Sequence, residues 1–403
     1  MITKKMKDST VEWIGEIPES WKVAKIKKFF NVFSGEYIER DSYIDNGLYP
    51  VIGSNGEIGR TNEINNNSKV VTTGRVGTIG KVHLVEKAWI TDNTLILKPI
   101  GNMLSSYLYY LIPSLDFNLI SSGTAQPLIT STKLKEQKVP FTNIEKQQKI
   151  VNLLEIKVSQ MDLIIEHTKQ SIEELKKYKQ SIITEAVTKG LNPNVKMKDS
   201  GIEWIGNVPE AWDVIKTNRL FSIKKEIANN TGYDILSVTQ RGLKVKDITQ
   251  NEGQMAADYS KYQIVQPDDF VMNHMDLLTG WVDLAVQEGV TSPDYRVFYN
   301  KQNELVFNRF YLYVFQICYL NKIFYGLGQG VSNFGRWRLQ TDKFLNFYLP
   351  LPTFEEQIEI VNYLDSQTNK VDSLIQDKVK AIEELEKYKK SLIYEYVTGK
   401  KEV

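Results

Sequence analysis

At 403 residues the chain can hold two or three domains, each burying its own core. Its 42% apolar and 25% charged residues form an ordinary globular balance and exclude wholesale disorder. A formal net charge of +1 excludes a uniformly basic surface, so any contact with nucleic acid must be a local patch. The single Cys318 can form no intrachain disulfide and reads as a small core hydrophobe of a reducing compartment. Met1 to Asp8 lacks the apolar core of a secretory signal, and the longest apolar run, Phe310 to Leu320, is too short to span a bilayer. A soluble, cytoplasmic protein is expected.

The chain is a duplication. Residues 6–21, MKDSTVEWIGEIPESW, return at 197–212 as MKDSGIEWIGNVPEAW. EKQQKIVNLL at 145–154 returns as EEQIEIVNYL at 355–364, and IEELKKYKQSIITEAVT at 172–188 as IEELEKYKKSLIYEYVT at 382–398. The register is +191 in the leading segments and +210 in the tails, so the second middle is 19 residues longer. Like ends around unlike middles imply one kind of job done on two targets. The spacing divides the chain into leading segment 1–21, first middle 22–140, helical tail 141–190, linker and second leading segment 191–212, second middle 213–350, and second tail 351–403.

In the first middle, Leu48 to Gly53 followed by Ser54-Asn55-Gly56 predicts a strand and hairpin turn. Strands are expected at Lys69–Thr73, Val82–Val85 and Thr94–Lys98, a short amphipathic helix at Ser106–Leu111, and an exposed loop at Ser121–Gln126. The glycines between Gly74 and Lys81 do not make a phosphate loop: Arg75 stands where its first glycine belongs, and Val82 where its Ser or Thr belongs. Turn geometry accounts for them, with close backbone approach to a nucleic-acid phosphate as the other reading.

The first tail carries apolar residues at steps of three and four, interrupted by the polar Thr168 and Lys179: Val151, Leu154, Val158, Met161, Ile165, Ile172, Leu175 and Ile182. The second repeats this with Val361, Leu364, Val371, Ile375, Ile382, Leu385 and Leu392. This period of 3.5 is a coiled-coil signature, and each helix would run roughly 55–65 Å. The stripe needs a partner, either its twin or another chain. If a pseudo-two-fold axis relates the halves, the twins pair antiparallel. Polar seam residues Thr168, Lys179, Thr368, Lys378 and Lys389 either set register or mark frayed ends. Gly190 and Pro193 end the first helix. In the second middle, the runs Ile235–Gly242 and Val271–Asn273, a helix-like stretch at Phe310–Leu320 and a Gly-rich loop running to Arg336-Trp337-Arg338 complete a mixed α and β reading.

Catalytic constellations are wanting. His83, His167 and His274 have no ligand spacing. Ser292-Pro-Asp-Tyr295 is a poor match to the amino-methyltransferase motif, and Asp116 with Glu136-Gln-Lys138 is a loose nuclease pattern. No nucleophile elbow is present. Two classes are to be weighed against these absences: a self-contained DNA methyltransferase or nuclease, and a coiled-coil scaffold with protein-binding heads.

The doubled Asp-Ser-x-x-Glu-Trp-Ile-Gly-x-x-Pro-Glu-x-Trp segments (8–21 and 199–212), Pro-to-Gln approaches to the tails (140–147 and 350–357) and Glu-Glu-Leu-x-x-Tyr-Lys pattern resemble the specificity subunits of type I restriction-modification enzymes. The resemblance covers the whole chain. It implies an α+β architecture: two target recognition domains separated by two long antiparallel coiled-coil helices, with no catalytic site in the chain. The implied partners are double-stranded DNA, two modification (adenine methyltransferase) subunits and, as a further class, restriction subunits. S-adenosylmethionine, ATP and Mg2+ are expected on those partners, and no cofactor on this chain. Carried onto the first middle, DNA-facing residues would be Ser54, Asn55, Arg60, Thr73, Arg75, Thr78 and Lys81, with Ser122, Thr124 and Gln126. In the second they would be Thr239, Gln240, Arg241, Lys244, Asn273 and His274, with Gln329, Ser332, Asn333, Arg336, Trp337 and Arg338.

Overall fold

A computed structural model describes residues 5–77, 79–122, 127–247, 258–330 and 337–403. The chain forms two compact units, Met1–Lys169 with Val379–Val403, and Gln170–Lys378. Each long tail helix, Ile144–Lys189 and Phe354–Val397, therefore contributes to both.

The first unit opens with Met6–Asp8 paired antiparallel to Glu16–Pro18. Asp8 Oδ1 accepts from the Thr10 N–H at 2.8 Å and Ser9 Oγ from the Val11 N–H at 3.2 Å, so the Asp-Ser pair closes its own turn. Ile14, Ile17 and Trp21 are thereby delivered to the core. The second unit repeats the device: Asp199 and Ser200 accept from Gly201 and Ile202 in the turn between Met197–Asp199 and Asn207–Pro209.

Each middle is a sandwich. In the first, an antiparallel sheet runs Phe30–Ser34, Thr94–Pro99, Val70–Gly74, Val82–Val85. Side chains alternate across it. Leu95 and Leu97 join Tyr107, Leu108 and Leu111 of the helix Ser105–Leu111, whereas Ile96 joins Ile52, Ala88 and Ile90. The second layer is the hairpin Tyr49–Gly53 and Gly56–Thr61, with Trp89–Ile90 parallel to its first strand. The second middle has the same plan: Phe221–Lys224, Arg296–Asn300, Phe270–Met272, Val282–Leu284 against Gly242–Val245, Ile235–Thr239, Gly289–Thr291, Gln263–Val265. Helix Asn308–Leu320 covers its main sheet, burying Cys318. Burial on both faces explains the short apolar runs.

The approaches to the tails are tied by one buried glutamine each. Gln147 accepts from the Leu104 N–H at 3.0 Å and donates to Thr142 O at 2.7 Å. Gln357 accepts from the Phe307 N–H at 2.8 Å and donates to Leu305 O at 2.8 Å. This explains the repeated Pro-to-Gln spacing.

The heptad positions all fall inward, buried or half-buried, including the polar ones. In the first unit, Val151 and Leu154 share a core with Leu392 and Tyr396, while Ile165 lies by Ile382 and Leu385. Numbers rise along one helix as they fall along the other, so the pair is antiparallel. The second unit pairs Ile183 and Val187 with Ile360 and Val361 in the same sense, and Lys179 with Asp372. The partner of each seam is thus the twin helix. Lys179 and Lys389 lie within the seam and bridge to Asp372 and Asp162, at 2.7 and 2.5 Å. The end of the second tail is built into the first unit: Tyr394 and Lys400 donate to Ile14 O, at 3.1 and 2.8 Å, and Gly399 (φ +73°) packs on Pro18 and Trp21.

Candidate nucleic-acid interface

Loops of the first unit meet around the Asn93 carbonyl, which accepts from Ser54 Oγ and the Arg75 N–H, both at 2.9 Å. Lys81 Nζ donates to Asn55 Oδ1 at 2.8 Å. The Ile129 N–H donates to Arg75 O at 2.9 Å, and Ser122 and Leu128 exchange two backbone bonds of 2.9 Å, which attaches the hairpin beyond Ser121 to the same place. Ser54, Asn55, Arg75, Lys81 and Ser122 are therefore one cluster. Asn55, Lys81 and Ser122 are exposed, and Arg75 is half-buried with Nη1 3.4 Å from Ser34 Oγ. Gly77 and Gly80 take φ of +74° and +79°, the turn role expected of them.

Two expected contacts of this half need correcting. Thr73 lies in a sheet strand at 0% exposure and faces the core, not an open loop. Arg60 donates from Nε to Gly47 O at 2.7 Å and from Nη2 to Leu48 O at 3.1 Å, and pairs with Glu57, so its guanidinium clamps the preceding turn. Thr78, Thr124 and Gln126 lie outside the described residues. His83, held below its usual range by burial and then by Lys81, backs onto Gly56.

In the second unit the turn at Thr239–Gly242 is closed by Thr239 Oγ1, which donates to Gly242 O at 2.8 Å. Gln240 Nε2 reaches Thr279 O at 3.4 Å, joining this turn to the loop after Met272. That loop is stitched to the Gln329–Arg338 hairpin: Leu277 N–H donates to Trp337 O at 3.1 Å, and Leu339 N–H to His274 O at 2.9 Å. Gln240, Arg241, Lys244, Gln329 and Arg338 are exposed. The Trp337 ring is 36% exposed, edge-on to Tyr325 and seated against Gly328 and Gly330. Asn273 is half-buried and borders a cavity of about 560 Å³ with Thr239, Lys244 and Tyr262. His274 is a further correction. It is 6% exposed, and burial, then Arg296 and Arg338, push it down to about 3, so it is a neutral core side chain. Ser332, Asn333 and Arg336 lie outside the described residues.

Sheet register aligns the two sites. Val71 pairs with Leu97 and Phe270 with Phe298, while Leu97 and Phe298 pair in turn with Val32 and Ile223. Counting onward, Arg75 corresponds to His274, and each carbonyl accepts from the hairpin residue after the bridge, Ile129 or Leu339. Leu95 corresponds to Arg296, a buried cation that sequence reasoning passed over. Its signal was a charge at an inward position of an otherwise apolar strand.

The loose nuclease pattern does not assemble. Asp116 caps a helix through the Asn118 N–H at 3.0 Å, and Glu136 is held down to about 2 by hydrogen bonds from Lys25 and Lys27. Ser292 and Tyr295 offer their carbonyls to Gln263 Nε2, at 2.8 and 2.7 Å, in an ordinary turn. Among the described residues no group of three or more His, Cys, Asp or Glu could hold a metal ion, and no helix is long and apolar enough to cross a membrane.

The family described as type I restriction modification DNA specificity domain matches residues 18–177 and 208–384. The type I restriction enzyme MjaVIII specificity subunit of Methanocaldococcus jannaschii is 26% identical over 317 residues, covering 73% of this chain and 69% of the relative. A solved chain from work on complex assembly and conformational transition of the type I restriction-modification system superposes with a TM-score of 0.67. It is 14% identical and covers 94% of this chain and 98% of that one, a likeness of fold.

Proposed function

Because this chain belongs to the type I restriction-modification DNA specificity family, a non-catalytic DNA-recognition class, we propose that it reads a bipartite, asymmetric duplex target, one half-site per middle domain. The recognition domains are 22–140 and 213–350. The carrying observation is that one sandwich plan holds unlike residues at matching backbone positions, half-buried Arg75 against buried His274 and Leu128 against exposed Arg338. A shared frame with unlike loops is what two readers of different sequences require. Arginine, lysine, asparagine and glutamine in those loops suit base edges and phosphates.

In this reading both domains meet one face of the duplex with half-site centres about one helical turn apart. The paired tails set that separation and dock two modification subunits in the cytoplasm, with restriction subunits as further partners. S-adenosylmethionine, ATP and Mg2+ belong to those partners. Phosphate contact shared with partners accommodates a net charge of +1. The test is to reconstitute the complex, map its methylated motif, then exchange residues 22–140 for those of another specificity subunit. One half-site should change and the other persist. Loss or change of both would refute modular reading.

A further inference from the structure

Arg296 stands in the main sheet of the second middle, 4% exposed, with no carboxylate within ion-pair distance among the described residues. Its Nη2 donates to Leu339 O at 2.9 Å and approaches Thr341 Oγ1 at 3.4 Å. Its guanidinium lies 4.7 Å from the Phe344 ring centre, a cation–π seat. Burial pulls its pKa down to about 10, which leaves it charged at neutral pH. An unpaired buried cation is unfavourable, because the charge loses its hydration without a counter-ion.

The first domain shows that the fold does not need this charge. Its matching position holds Leu95, 0% exposed among apolar neighbours. What differs is the hairpin above: its bridge joins Gln329 to Arg338 in the second domain and Ser122 to Leu128 in the first, so the second loop is longer. A longer loop has more freedom to lose on closure and gains more from an anchor. Leu339 is held on both sides, its N–H by His274 O and its carbonyl by Arg296, directly after Trp337 and Arg338. The like charge of Arg296 also favours an outward course for the exposed Arg338.

We infer that Arg296 is a positioning residue for the second half-site: by clamping the Leu339 carbonyl it sets how Trp337 and Arg338 meet DNA. The inference rests on the reading under Proposed function. Its test uses the reconstituted complex carrying Arg296→Leu, the side chain the first domain uses there, and Arg296→Lys, with unbiased mapping of the methylated motif. We expect Arg296→Leu to leave the first half-site intact and to relax discrimination at one or more second half-site positions by tenfold or more. Arg296→Lys should recover part of this, since an ammonium can hold the carbonyl but lacks the flat stack. An unchanged motif, or an equal loss over both half-sites, overturns the inference. Should Arg296→Leu not fold, Arg296→Lys decides: relaxation confined to the second half-site supports it, and an unaltered motif overturns it. A wild-type complex that methylates no bipartite motif would instead sink the reading itself.

Discussion

Lys179 of the first tail places Nζ 2.7 Å from Asp372 of the second, and the repeat register of +210 turns this pair into Lys389 with Asp162, also bridged. One ion pair thus occurs twice, with the helices' roles exchanged. Both pairs are partly exposed, so their main effect is to disfavour other registers. Lys179→Glu should destabilise by about 1 kcal/mol, and Lys179→Glu with Asp372→Lys should recover most of it. Urea denaturation measures both, and a double variant no better than the single would show that the pair is incidental.

Thr10 holds φ +59°, a left-handed conformation, where the second copy has Gly201 at +68°. A β-branched residue is strained there. Thr10→Gly should therefore stabilise the chain by roughly 0.5–1 kcal/mol after the added freedom of the unfolded glycine. A lowered melting temperature would contradict this. The paired positions make the experiment its own control, since Gly201→Thr should have the opposite sign.

His274 titrates near 6.5 when unfolded but only near 3 in the folded chain, because burial disfavours the imidazolium. Between these values the unfolded state binds more protons. Stability is therefore complete at pH 7 and falls as acid passes below 6.5. By pH 5 this group alone should account for a loss of about 2 kcal/mol. His274→Gln should flatten that part of the stability curve, as followed by denaturant titration at several pH values. A slope unchanged by the substitution would remove His274 as its source.

If the tails set the distance between half-sites, inserting one heptad at matched points of both should lengthen it by about 10 Å. That corresponds to about three base pairs in the unread gap, at 3.4 Å each, with both half-sites unaltered. The methylated motif of the reconstituted complex reports it directly. A gap of unchanged length would end the ruler mechanism.

Much of this was legible in the linear chain because it depends on local rules. The heptad spacing marks one face of a helix, and Gly190 stops it with a left-handed turn packed on Trp212. Duplication was visible since leading segments and tails keep side chains that touch one another within each unit. The middles kept only an alternation of inward apolar positions, which many sequences satisfy, so their common sandwich was not legible.

The sequence by itself therefore determined the duplication, the heptad seam and which segments are alike. Tertiary structure alone decided that each seam meets its twin antiparallel, that residues 379–403 complete the first unit, and that the two middles share one strand order. It alone separated Arg75, half-buried at its loop, from Arg60, spent on a turn, and from Arg296, buried beneath a hairpin. The physical reason is that turn closure and helical period act over a few residues, whereas burial of a charge is fixed by neighbours brought from distant parts of the chain.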